Sequence, residues 1–229
     1  MSRQNSRAFR NPLLFLTLSG VALSLFSSPV NAKILEQVTG TKEIHDVKLA
    51  KEVTLDVAGK KVVLKPYVQG LRKKKVALFW AKVYVGQFFT TPGLSTPPAS
   101  VANALTTLSV QPVVAITMTF LRDVNAKRMH DAFVEALEAN EVDVKAEAMK
   151  PLFTAIEKSG GMKDGETTTI VLEKTTGGDE MFRFENGKGE LQTSAMEPGT
   201  FHKILLLWFG KPADSGSERI QKQFIGKDD

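Results

Sequence analysis

Cysteine is absent from the 229-residue chain, and tyrosine and tryptophan occur twice each. Without cysteine there can be no disulfide and no acylated lipid-anchored precursor, so packing has to carry the stability. The three histidines, His45, His130 and His202, lie far apart with no metal-ligand spacing and no cysteine to join them. They read as surface residues, and no metal is expected. His130 and Asp131 are adjacent, which on a helix points them in different directions. No nucleophile elbow, Walker loop or dinucleotide glycine motif occurs; Gly160-Gly161 and Gly177-Gly178 sit in turns. The carboxylates are scattered, and no cofactor is expected. Internal repeats, low-complexity tracts and interdomain linkers are also missing.

Long apolar runs are scarce. The longest, Leu13 to Phe26, is short against the roughly 20 residues a spanning helix needs. It follows Arg3, Arg7 and Arg10 and precedes Ser27-Ser28-Pro29 and Val30-Asn31-Ala32, small where a signal peptidase reads. This order predicts a secretory signal peptide over residues 1–32, cleaved after Ala32, and an exported, periplasmic mature chain with no stable membrane span. Residues 33–229 are then long enough for a single domain with a sizeable core. The formal net charge of +5 loses three arginines with the leader. The mature chain is nearly neutral and carries no electrostatic footprint for nucleic acid. Nothing in the sequence fixes an oligomeric state.

What is present is a set of strands and helices organised around Leu71 to Phe89, LRKKKVALFWAKVYVGQFF. Read with period two, both sides of this stretch are apolar from Val76 onward, which predicts a central strand covered on both faces. Lys73 to Lys75 reads as a solvated turn or a blunted sheet edge. Residues 33–46 are polar and weakly patterned and read as a lead. Val53 to Val57 and Val62 to Leu64 form a hairpin about Ala58-Gly59, ended by Pro66. A short helix is expected over Ala99 to Leu108, then a buried strand over Val113 to Leu121. Asn125 caps a helix striped by Met129, Phe133 and Leu137. Another helix is expected over Lys145 to Ile156, with Pro151 in its window. A three-strand meander follows around Gly177-Gly178-Asp179 and Asn186-Gly187. A strongly apolar helix over Phe201 to Phe209 and a last one over Ser217 to Phe224 close the chain. Hairpins without regular βαβ alternation indicate an α+β domain, a largely antiparallel sheet against a helical layer.

The order of GLRKK, AKVY, TFLRDVNAKRMHDAFVEAL, the penultimate meander and LLLWFGKPAD resembles the chalcone isomerase-like family, in its exported bacterial branch, from about Val53 to Ile225. The resemblance implies an open-faced β-sandwich with a ligand cleft between the large sheet and the helices. Enzymes of this family are isomerases (intramolecular lyases) that close a chalcone by attack of a phenolate on an enone. In them an Arg holds the anion, and hydroxyl or amide groups polarise the carbonyl.

By that resemblance the Arg falls on Arg72, while Phe79, Met129, Ala136 and Leu207 stand near the polarising positions, which removes the electrostatic part of that catalysis. Tyr67 alone could replace the missing helix tyrosine, from a different element. Non-catalytic relatives bind fatty acids through an Arg and the Tyr of a KVY-like strand, and both are present, as Arg72 and Tyr84. Val68-Gln69 stand where small residues are usual before that Arg. The resemblance therefore implies a protein, more binder than enzyme, for a fatty acid or similar lipophilic carboxylate, with Phe79, Met129, Phe133, Ala136 and Leu207 lining the cleft. The alternatives are an isomerase, and an envelope interaction protein whose cleft takes no ligand. Arg72 and Tyr84 could meet only if the chain reverses between them, which the sequence reading places near Lys73 to Lys75.

Overall fold

A computed structural model describes residues 33–94, 96–175 and 177–227; the expected leader and its cleavage site lie outside them. Eight strands form one sheet in sequence order, each antiparallel to the next. They are β1 (Leu35–Ile44), β2 (Val47–Val57), β3 (Lys60–Val76), β4 (Phe79–Thr90), β5 (Val113–Phe120), β6 (Thr167–Lys174), β7 (Glu180–Glu185) and β8 (Leu191–Met196). The helices are α1 (Val101–Ser109), α2 (Ala126–Glu138), α3 (Lys150–Ser159), α4 (Thr200–Phe209) and α5 (Ser215–Phe224). The architecture is α+β, an open-faced β-sandwich.

β3 makes the sandwich possible. Its first residues, Lys60 to Leu64, pair with β2, and from Lys65 onward it pairs with β4. Between the two regimes the register shifts at Pro66/Val68, where a proline without an N–H and one extra residue bend the strand. Pro66 thus bends the strand rather than ending it. The bend lays β1, β2 and the start of β3 over one face of the main sheet. There Leu35, Val53, Leu55 and Leu64 pack on Phe89, Val113, Ala115 and Val171. Gln87 ties the layers: its buried amide accepts from the Ala50 N–H at 3.0 Å and donates to the Ala50 carbonyl at 3.2 Å. β1, expected as a featureless lead, is a strand with mostly exposed side chains. Its backbone ladder to β2 holds it, which leaves no apolar pattern to read.

The other face of the sheet carries the helices and the larger core, with Tyr84, Phe88, Ile116, Met118, Ile170 and Phe182 against Phe133, Phe201, Trp208 and Phe224. Capping agrees with the sequence reading at Asn125, whose side chain accepts from the Arg128 N–H at 2.8 Å. The helix expected over Lys145 to Ile156 begins later, after one 3₁₀ turn at Glu147–Met149, with Pro151 in its first turn. That is where a residue without an N–H costs least. Among the described residues no helix is long and apolar enough to cross a membrane.

Leu71 to Phe89, expected as one central strand, is a β-hairpin: the chain reverses at Ala77-Leu78, with Val76 opposite Phe79 and Ala77 at φ 52°. Alanine and leucine carry no turn chemistry, so periodicity ran through the reversal unbroken. Lys73 to Lys75 lies within β3, before the turn.

Candidate functional site

The hairpin brings Arg72 and Tyr84 directly opposite one another on β3 and β4. A register shift follows at once, between Arg72 and Lys73. Tyr84 is 9 % exposed, and its hydroxyl oxygen accepts from the indole N–H of Trp208 on α4 at 3.0 Å. Burial pushes the phenol above its ordinary pKa, opposed by the charge of Arg72 and by the Trp208 hydrogen bond. The phenol therefore keeps its proton near neutral pH. No hydrogen bond from that O–H to another described residue is present, so the phenol retains a donor for a further partner.

Arg72 has a partner the sequence reading did not name. Nη2 donates to both oxygens of Asp214, at 2.8 and 2.7 Å, and Nη1 to the Lys73 carbonyl. Asp214 is the N-cap of α5 and also accepts from the Ser217 N–H at 2.7 Å. One carboxylate thus caps a helix and closes an ion pair with a strand. The helix is seated there by two glycines. A Cβ on Gly216 would come within 1.8 Å of the Lys73 carbonyl oxygen, and one on Gly70 within 2.9 Å of Ile220. Gln221 of α5 donates to the Trp208 and Gly210 carbonyls, at 3.0 and 2.8 Å, which fixes the end of α4 and with it the indole that meets Tyr84. Trp208 and Asp214 both stand in the LLLWFGKPAD segment, but their partners lie over 100 residues away in sequence.

Burial alone raises the Asp214 carboxyl, but the hydrogen bonds from Arg72 and Ser217 and the charge of Arg72 outweigh it and hold the group below its ordinary range. Because the folded value is the lower one, the stability this provides is present above the unfolded value, about 4. It is lost as pH falls through the folded value. Thermal melts from about pH 5 down to about pH 2 are expected to drop more steeply for the wild type than for Asp214→Asn. Parallel curves would mean that the pair contributes nothing.

Of the other cleft candidates, Met129, Phe133, Ala136 and Leu207 share the core with Tyr84, and the rings of Phe133 and Trp208 lie 5.9 Å apart edge to face. The fold does not bring Phe79 to them. It sits beside the hairpin turn, 66 % exposed. Tyr67 belongs to the same core as Tyr84. The space next to Tyr84 is filled by these side chains. A groove of about 1260 Å³ lies elsewhere, between the β1–β2 hairpin, the middle of β3 and the end of α5, with Leu49, Val68, Leu71 and Phe224 among its walls.

No cluster of three or more metal-binding side chains occurs among the described residues. One nucleophile–base contact was not foreseen: Ser109 and His202 Nδ1 are 2.8 Å apart. The imidazole is exposed, so the contact ties α1 to α4 at the surface.

Comparison with known proteins agrees with this fold. Among solved structures, a fatty-acid binding protein of Arabidopsis thaliana superposes with a TM-score of 0.55 at 15 % identity, covering 83 % of this chain and 96 % of that one. No curated protein sequence matches. The profile described as chalcone isomerase-like matches residues 41–220, and the chain belongs to the chalcone isomerase-like family.

Proposed function

We propose that the protein binds a fatty acid or similar lipophilic carboxylate between the sheet and the helices, with Arg72 and Tyr84 holding the head group. The observation that carries this reading is their direct opposition across β3 and β4, an Arg fork beside a buried phenol whose proton no described residue accepts. A carboxylate leaving water needs an opposite charge and hydrogen-bond donors, and this pair offers both. The likeness in fold to the Arabidopsis fatty-acid binding protein supports the ligand class.

Asp214 already supplies a carboxylate to Arg72. The ligand head group therefore takes its place, while the acyl chain displaces Met129, Phe133 and Leu207, among which the unbranched methionine adapts most easily. Asp214→Asn keeps a good N-cap and removes the competing charge. It is expected to tighten binding of a long-chain fatty acid, read by titration calorimetry, and to leave the methyl ester weak. Equal binding of acid and ester would overturn the carboxylate reading. So would looser binding of the acid by Asp214→Asn with an unchanged melting temperature.

We also propose export, on the order of charged, apolar and small residues in positions 1–32. Intact mass of the protein recovered from the periplasmic fraction is expected to correspond to a chain starting at Lys33. A mass retaining Met1 in a membrane fraction would overturn it.

A further inference from the structure

Beyond Tyr84, β3 and β4 leave the sheet. β5 pairs with β4 only from Tyr84 onward, and β2 pairs with β3 only as far as Leu64. The hairpin from Lys73 to Lys82 is therefore a two-stranded arm with no strand on either side of it. Its tip is apolar and exposed: Leu78 is 96 % exposed, Phe79 66 %, Val76 43 % and Trp80 36 %. A soluble surface scatters such residues singly, whereas four together mark an interaction site.

Behind the tip stand Lys73, Lys74, Lys75 and Lys82, placed across the arm by the register Lys73↔Lys82, Lys74↔Ala81 and Lys75↔Trp80. Among the described residues the acidic group in ion-pair reach of them is Glu135 of α2, 3.9 Å from Lys74. From α5, Arg219 lies 4.5 Å over the Trp80 ring. The surrounding sequence has the same sign: from Val57 through Arg122 there are nine lysines and arginines and no aspartate or glutamate.

We infer that this arm docks on an anionic lipid bilayer, with Leu78 and Phe79 inserted among the acyl chains, Trp80 at the headgroup level and the four lysines against the phosphates. An aliphatic and aromatic tip ringed by lysines, with no hydrogen-bonding side chain at its apex, fits a surface that is greasy inside and negatively charged outside. The inference does not rest on the ligand reading, since it concerns phospholipid surface alone. It would, however, place Arg72 beside the membrane from which a lipophilic acid is drawn.

The test is flotation of the full chain with vesicles of phosphatidylcholine alone or with phosphatidylglycerol at about 3:1, at low and high salt. A parallel measurement is quenching of tryptophan emission by lipids brominated near the headgroup. Only Trp80 and Trp208 emit, and Trp208 is buried, so quenching reports the arm even though the apolar run at Leu13 to Phe26 could itself associate with lipid. Quenching is expected with anionic vesicles only and should fade at high salt, each lysine contributing roughly fivefold. Leu78→Ser with Phe79→Ser is expected to raise at least tenfold the lipid concentration needed to quench Trp80, with the far-ultraviolet spectrum unchanged, and Lys74→Glu with Lys75→Glu to act similarly. Absence of quenching, equal quenching by neutral vesicles, or a tip variant whose Trp80 is quenched like that of the wild type would overturn the inference. So would concentration-dependent dimerisation abolished by Leu78→Ser without any lipid binding, which would make the tip a protein contact.

Discussion

Gly216→Ala is expected to lower the melting temperature by on the order of 10 °C, through the loss of about 3–5 kcal/mol. The added methyl would lie 1.8 Å from the Lys73 carbonyl oxygen and 1.9 Å from the Arg72 guanidinium. The first neighbour is backbone, paired with β4 through Lys73↔Lys82 and already accepting from the Arg72 guanidinium, and it yields far less easily than a side-chain tip. The start of α5 must lift instead, which parts Asp214 from Arg72 and loosens the Gln223 contact in which the Leu71 N–H donates at 2.7 Å. The cost thus combines overpacking with a broken, largely buried ion pair. Gly177→Ala is the control, because a Cβ there meets nothing nearer than 3.7 Å. Thermal unfolding of both variants by circular dichroism decides the matter. A melting temperature for Gly216→Ala within about a degree of the control would show that α5 is not held to β3 by this close approach.

Arg72→Ala is expected to weaken binding of a long-chain fatty acid by about 1.5–3 kcal/mol, on the order of 10- to 150-fold, because the lost bonds are to a charged group. The same substitution leaves Asp214, whose side chain is 25 % exposed, without its cation and should destabilise the fold by about 1–3 kcal/mol. The two effects separate in the double variant Arg72→Ala with Asp214→Asn. Removing the orphaned charge should restore part of the stability and none of the affinity for the acid. If Arg72→Ala lowers the melting temperature but leaves the affinity unchanged, Arg72 serves only to anchor α5, and the head-group role assigned to it fails.

Local pattern accounts for the strands and helices that carry a one-sided or uninterrupted apolar face, and for the turns that carry turn chemistry. Val113 to Phe120, the Asn125-capped helix with its Met129, Phe133 and Leu137 stripe, and the Gly177-Gly178-Asp179 reversal follow from local preferences alone, as does the α+β class. The sequence also marked Arg72 and Tyr84, through the resemblance of the segments around them. β1 and the reversal at Ala77-Leu78 were beyond it. The first is held by backbone bonds to β2 that leave no side-chain signature, and the second uses residues with no preference for a turn.

What Arg72 and Tyr84 touch is set by packing between distant segments. Asp214 and Trp208 reach them from helices that follow more than 100 residues later, and the close approach that joins them depends on the missing side chain of Gly216. Whether an arginine is a solvated charge, a helix anchor or a carboxylate clamp is set by which groups packing brings within 3 Å. Pairwise distances across the fold are not encoded in any local stretch of the chain. The same holds for Phe79: periodicity placed it in the core, and one two-residue reversal put it 66 % into solvent.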